Sequence, residues 1–410
     1  MVPPRELYWV ASLLIAFSLG RAIGATTGPA TTAESNPKLT LTIACSVHAI
    51  SAGDEIPITF TIRNDGDSPY TYFDRNYDRS GRMDEYALAA TDSRGVAVPD
   101  PRAALDGPFF GGGLGNDRIL APGESFSKTI LLNDWALVTK PGTYHVMGTY
   151  GGSFPEGSSN LQPSHIDITV LPRTHEEMGA YIDALSTELK SRLQERTTTA
   201  PARVDADGVI AKLIYTCDPR IVPTVIEAMY AAREGDFDEH FGYWAQQAFL
   251  CYLPRDPRNI DALTSAAGKR GMAEGMGWIL RKLGCPTAKL RRLIAISLSL
   301  DHPDAWGEGA MAAQQICDDS FTQRLIFLAL HQKDITRDRA IYALAMNRTD
   351  ESVAVLKQLL GDEGSASPGE QSPTARKAAQ AIRTAYCFRG DCDGRKLRPD
   401  DFDKKYQRPQ

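Results

Sequence analysis

From Thr174 to about Tyr386, apolar residues recur in paired helical stretches with roughly thirty to forty residues per pair. The clearest pair is RAIYALAMNRTDESVAVLKQLLGD at 339–362, with related segments IYTCDPRIVPTVIEAMY at 214–230 and FLCYLPRDPRNIDALTSA at 249–266. Each has an apolar helix, a short polar break and a second apolar helix. One such pair cannot bury both of its apolar faces, so the pattern predicts pairs stacked into an α-solenoid. The predicted helices are 175–195 with 205–217, 219–234 with 240–252, 257–270 with 273–284, 287–301 with 304–317, 319–332 with 336–347, and 350–361 with 373–386. Thr174 and Glu177 fit a capping box at the first of them, followed by a stripe of Met178, Tyr181, Ile182, Leu185, Leu189 and Leu193. Asp218-Pro219 and Asp256-Pro257 mark two further helix starts, because Asp caps the first turn and Pro suits its first position.

Before Thr174 the period is two. KLTLTIAC at 38–45 and IPITFTIRN at 56–64 alternate polar and apolar residues, and further strands are predicted at 86–91, 126–132, 142–150 and 165–171. Turn sequences separate them at 51–54, 64–67, 92–95 and 121–124. Many short strands at this spacing predict a β-sandwich over residues 38–172.

Two resemblances follow from these residues. LAPGES at 120–125 with KPGTYHV at 140–146 resembles the closing half of bacterial immunoglobulin-like domains, without the Cys…Trp…Cys signature of antibody-type domains. The helix pairs resemble HEAT repeats of the short type also found in bilin lyases. They match it at Ala340, Ala343, Leu344, Val353 and Leu356, at Asp218, Pro219, Val222 and Val225, and at Asp256, Pro257, Ile260 and Leu263, and depart from it around 285–330. The expected architecture is an immunoglobulin-like β-sandwich followed by a HEAT-type α-solenoid at 173–386, with a charged tail at 387–410. Repeats of this kind serve many functions, so the resemblance implies a binding surface and no particular partner.

The first residues read as a signal peptide over 1–25: Arg5 precedes the apolar run from Leu7 to Gly20, and small residues follow. That run is too short to span a bilayer comfortably, and no later segment is long and apolar enough. TTGPATTAESNP at 26–37 has the composition of a disordered linker. The chain is therefore expected to be exported, to the periplasm, the envelope or the exterior. A net charge of −6 over 410 residues argues against nucleic acid as a partner. Export makes disulfides feasible, and Cys387 and Cys392 in CFRGDC are the best candidates to bridge. Cys217, Cys251, Cys285 and Cys317 stand 34, 34 and 32 residues apart near helix ends. They read as small buried core residues, since zinc sites need much closer pairs.

Catalytic motifs are weak. HEEMG at 175–179 lacks the second histidine of a zinc-protease helix, and GGGLG at 111–115 has no following Lys-Ser or Lys-Thr. Asp65, Asp67, Asp74 and Asp78 could offer oxygens to calcium but read more simply as turn acids. The densest polar and aromatic cluster is EGDFDEHFGYW at 234–244, where Asp236, Asp238 and His240 could do acid–base work or merely lead an acidic loop into a helix. Trp244 and Trp278 stand seven residues before Cys251 and Cys285, and Trp306 eleven before Cys317. Both spacings return to one helix face. Tyr243, Trp244, Trp278 and Trp306 are thus the candidate partner surface, against the plainer reading of inter-helix packing. The leading expectation is an exported, non-enzymatic protein-binding or scaffold protein with no cofactor and no metal, its ligand a protein or a polysaccharide. The alternatives are a hydrolase or lyase with a shallow site at 236–244, and a purely structural arm.

Overall fold

The computed structural model of the chain describes residues 38–47, 49–75, 82–83, 85–103, 115–151, 161–195, 201–233, 240–361 and 373–387. The expected signal peptide, linker and tail beyond Cys387 lie outside these residues.

Among the described residues nine strands come first: β1 (Leu39–Cys45), β2 (Ile50–Ser51), β3 (Pro57–Asn64), β4 (Tyr70–Arg75), β5 (Tyr86–Asp92), β6 (Gly115–Leu120), β7 (Ser125–Leu131), β8 (Gly142–Tyr150) and β9 (Ser164–Leu171). They form three sheets, ordered β1-β3-β7, β2-β9-β8-β5 and β4-β6. All pairings are antiparallel except the short β2–β9 pair, which is parallel. Alternation decides what each strand buries: Leu41, Ile43, Ile58, Phe60 and Ile62 of the first sheet share a core with Leu88, Ala90, Val146, Ile168 and Val170 of the second. The sheets approach closely at Gly148, where an added Cβ would lie 2.8 Å from Ile43 Cγ2, so only glycine fits there.

Twelve helices follow among the described residues: α1 (His175–Glu195), α2 (Pro201–Tyr215), α3 (Val222–Arg233), α4 (His240–Gln247), α5 (Pro257–Arg270), α6 (Met276–Lys282), α7 (Thr287–Ser297), α8 (Trp306–Ala313), α9 (Thr322–His331), α10 (Asp334–Asn347), α11 (Asp350–Leu360) and α12 (Pro373–Cys387). One continuous apolar core runs through them, from Ile182 to Ala385. Their starts obey the local signals. Thr174 Oγ1 accepts from the Glu177 N–H at 3.1 Å while Glu177 accepts from the Thr174 N–H at 2.7 Å. Asp218 and Asp256 each accept from the N–H two residues on, with Pro between.

The expected immunoglobulin-like sandwich followed by a HEAT-type solenoid is not what these elements build. The strands divide among three small sheets, because β4 and β6 pair only with each other and the two-residue β2 joins an edge in parallel. The helices share no common unit. They range from 7 to 21 residues. A π-helical turn at Ala248–Tyr252 and 3-10 turns at Pro219–Ile221, Pro303–Ala305 and Asp319–Phe321 interrupt them. The architecture is mixed: small antiparallel sheets, then a helical part.

Pro172, Arg173 and Thr174 join the two parts, and polar contacts hold them together. Arg173 donates to the Ala52 carbonyl at 2.7 Å, pairs with Asp54 at 2.8 Å and lies 4.1 Å over the Tyr181 ring. Lys212 faces Glu55 at 3.8 Å.

Candidate functional site

An open cleft of about 940 Å³ lies at this junction. One wall comes from the strand part: the turn after β5 (Asp92 to Pro99) and the stretch before β8 (Leu137 to Pro141). The joining segment Pro172–His175 and the start of α1 form the back, and the loops Thr216–Arg220 and Cys251–Pro254 close it from the helical side. Five prolines, Pro99, Pro141, Pro172, Pro219 and Pro254, line it beside Val96, Leu137, Met178 and Leu253. Proline fixes its own φ and offers no N–H, so these walls are stiff and poor in donors.

The cleft's carboxylates are already committed. Asp92 accepts from the Val96 and Arg94 N–H groups and pairs with the Arg94 guanidinium at 3.0 Å, which holds its pKa below the usual range. Asp218 is bound by Arg220 at 2.6 Å and by the Arg220 N–H, with the same result. Two free thiols line the cleft. Burial pushes Cys217 up to about 12 and Cys251 up to about 11, so both stay protonated at neutral pH and are poor nucleophiles. Cys217 also sits at φ 53, the left-handed position that ends the α2 segment before the Asp218 cap.

Beneath the cleft lies a polar latch. Asp134 follows β7 in a 3-10 turn. Its Oδ1 accepts from Tyr215 Oη at 3.0 Å and Tyr252 Oη at 3.3 Å, and stands 3.9 Å from Arg102. Tyr252 Oη also reaches the Asn133 carbonyl at 3.2 Å. Arg82 donates to the Asp134 carbonyl, pairs with Asp100 and lies 4.5 Å over the Trp135 ring. Desolvation raises the Asp134 pKa, opposed by Arg102 and the two tyrosines. A carboxylate shifted this way inside a cleft would be a catalytic candidate. This one is sealed under Tyr215 and Tyr252, with only 16% of its side chain exposed, so its geometry is that of a joint.

The residues singled out from sequence lie elsewhere. Trp244, Trp278 and Trp306 are each half-buried against the helical core, and none of them lines the cleft. Trp306 donates to the Ser299 carbonyl at 2.6 Å and carries Arg324 over its ring at 4.4 Å, while Trp278 has Lys282 at 5.9 Å. Asp236, Asp238 and Glu239 fall outside the described residues, as do the side chains of His240 and Tyr243. Asp65 pairs with Arg63 at 2.9 Å and Asp74 with Lys128 at 3.5 Å, while Asp78 lies outside the described residues. Among the described residues, no three His, Cys, Asp or Glu side chains are grouped to hold a metal ion.

Of the four evenly spaced cysteines, Cys251 and Cys285 are buried free thiols and Cys217 is a partly buried one. Cys317 departs from that reading, because it is disulfide-bonded. The side chains of Cys387 and Cys392, expected to bridge, lie outside the described residues. Sequence reasoning missed the cleft's arginines and the latch. The Asp-Pro-Arg run at 218–220 was the one local hint, since the arginine pairs back onto the capping aspartate.

No family model matches the chain, and comparison with curated proteins finds no relative. Among solved structures, a β-glucosidase from Erythrobacter marinus matches at 15% identity with a TM-score of 0.21, over 33% of this chain and 16% of that one. A β-glucosidase from Listeria innocua bound to glucose matches at 14% identity and a TM-score of 0.19, again over 33% and 16%. The chain thus spans about a sixth of either enzyme, and likeness at these scores carries no argument about fold or activity. No helix among the described residues is long and apolar enough to cross a membrane.

Proposed function

We propose that this is an exported, non-enzymatic protein-binding protein that seats its partner in the cleft between the strand and helical parts. One observation carries the reading: this cleft is stiff-walled and part-apolar, its carboxylates are tied to arginines and its thiols are held protonated. General acid–base or nucleophilic chemistry needs a group with a pKa near the working pH and free to reach substrate. Here Asp92 and Asp218 are tied to arginines and Cys217 and Cys251 are held as thiols, which leaves His175 at the start of α1 as the exposed imidazole of the lining, without an uncommitted lining carboxylate or a thiolate to work with. Open clefts of this size with few directed polar groups suit recognition. The hydrolase or lyase alternative at 236–244 draws no support from any described side chain.

A photo-crosslinking residue at Val96, which is exposed in the cleft wall, tests the proposal against the same residue at Ile119, exposed on β6 away from it. The full chain is incubated with envelope and secreted fractions of the producing cell. Capture of one protein from position 96 and not 119, competed by unlabelled chain, is the expected result. Equal capture from both positions, or none from 96, would refute the cleft as the binding site and leave the structural-arm reading.

A further inference from the structure

We propose that the cleft selects an acidic, partly apolar peptide segment. The inference rests on the binding role proposed above and names the chemistry of what is bound. The lining carries four cationic side chains, Arg94, Lys140, Arg173 and Arg220, against two carboxylates, Asp92 and Asp218, in a chain whose net charge is −6. Three of these cations already face carboxylates, Arg94 with Asp92, Arg220 with Asp218 and Arg173 with Asp54 behind the lining, so the cleft keeps a modest positive excess centred on Lys140, which favours anionic ligands on a chain of net negative charge.

The cations are not equivalent. Arg173 is fixed in the joint by Ala52, Asp54 and Tyr181, and Arg220 is held by Asp218. Arg94 is paired with Asp92 at 3.0 Å, but its side chain is 80% exposed at the mouth, so a ligand carboxylate can compete for it. Lys140 is exposed beside it, its carbonyl accepting from Tyr144 Oη at 2.7 Å so that the backbone there is anchored while the side chain stays outside. These two form the adjustable rim. Guanidinium and ammonium groups on this exposed rim make charge-assisted bonds to carboxylates, weakened by solvent.

The apolar lining identifies the rest of the ligand. Exposed Val96, half-buried Leu137 and Met178 and the prolines offer aliphatic surface, which suits apolar side chains between acidic ones. A polysaccharide would want open aromatic faces. The two rings here, Tyr144 and Tyr252, are buried in the strand and helical cores, and their hydroxyls are committed to Lys140, Asn133 and Asp134. A nucleic acid would need many more phosphate contacts than the two rim cations provide.

The test uses the full chain on an array of short synthetic peptides, matched in apolar content and graded from lysine-bearing through neutral to Asp- and Glu-bearing, with an oligouronate as a separate probe. Retention should rise with acid content, by about 10-fold from the basic to the acidic set, the equivalent of ~1.4 kcal/mol. Arg94→Glu with Lys140→Glu should abolish the gradient, and Arg94→Ala with Lys140→Ala should flatten it. Both pairs of sites are at the exposed rim, and circular dichroism checks that folding is intact. A gradient that is absent, or that survives both double variants, overturns the proposal, as does retention of the oligouronate in preference to acidic peptides. Crosslinking from Val96 that persists while the acid gradient is missing would leave the binding role standing and sink this inference alone.

Discussion

Tyr215→Phe combined with Tyr252→Phe should uncouple the strand part from the helical part. Each hydroxyl donates to Asp134 Oδ1, at 3.0 and 3.3 Å, across the junction. A hydrogen bond to a charged partner contributes about 1.5–3 kcal/mol. Each single change should therefore cost ~2 kcal/mol. The second removal leaves the carboxylate with Arg102 at 3.9 Å as its partner from the first network, so the pair should cost more than the two singles together, about 4–5 kcal/mol. The assay is urea unfolding followed in parallel by far-ultraviolet dichroism and tryptophan fluorescence, which report the helices and the aromatic sites separately. The wild-type curves should coincide and those of the double variant should separate. A double variant within ~1 kcal/mol of wild type, with coincident curves, would refute the latch.

The pH dependence has a definite sign. Burial raises the Asp134 pKa in the folded chain, so the folded state holds that proton more tightly than the unfolded one. Its contribution is fully present below the unfolded value and is lost as pH rises through the folded value. Wild type should lose stability relative to Asp134→Asn on going from about pH 4 toward neutrality. The opposite slope would place the charged form as the favoured one and reverse the account of the latch.

Three further outcomes follow from single sites. Asp218→Ala removes the cap and the Arg220 pairing and should cost ~1 kcal/mol in urea unfolding. Because the folded pKa of Asp218 is lowered, that difference should shrink as pH falls through it, and a pH-independent difference would count against the pairing. Gly271→Ala should destabilise by more than ~1 kcal/mol, since φ is +71 and the new Cβ would stand 2.5 Å from Ala305 Cβ, and a neutral result in thermal melts would refute the strain. Cys217 and Cys251 should resist a thiol reagent at neutral pH until the chain is unfolded, and rapid native labelling would contradict their burial.

What could be read from the sequence was local. The capping pairs at Thr174 and Glu177, and at Asp218 and Asp256, act over three residues or fewer and stand where expected. The alternating strands did too, because β1, β3 and β8 bury one face each. β4 and β6 gave no such signal. Their two-stranded ribbon leaves most residues half-exposed or exposed on both faces, so YTYFDR and GNDRIL show no period. Helical arithmetic put Trp244, Trp278 and Trp306 on one face, and it could not say that this face is turned half into the core. The expected architecture failed for a related reason: the repeating pattern does not record helix length or the turns between helices, and these vary from pair to pair.

The cleft and the latch were beyond sequence because they join distant segments. Asp134 reads as a turn residue, and Tyr215 and Tyr252 read as ordinary helix core. Only the junction brings them together, and Tyr252 then serves both sides, with its hydroxyl in the latch and its residue in the cleft lining. The two sites are therefore coupled by construction. A ligand that braces the cleft walls binds the joined state and must stabilise the latch by the same free energy with which the latch improves binding. Tyr252→Phe should weaken partner capture at Val96 even though it changes no rim cation, whereas Arg94→Ala should weaken capture and leave unfolding of the free chain within ~0.5 kcal/mol of wild type. Equal effects of both variants on both readouts would mean that cleft and latch are one structural element, and the separation of binding from joining would fall.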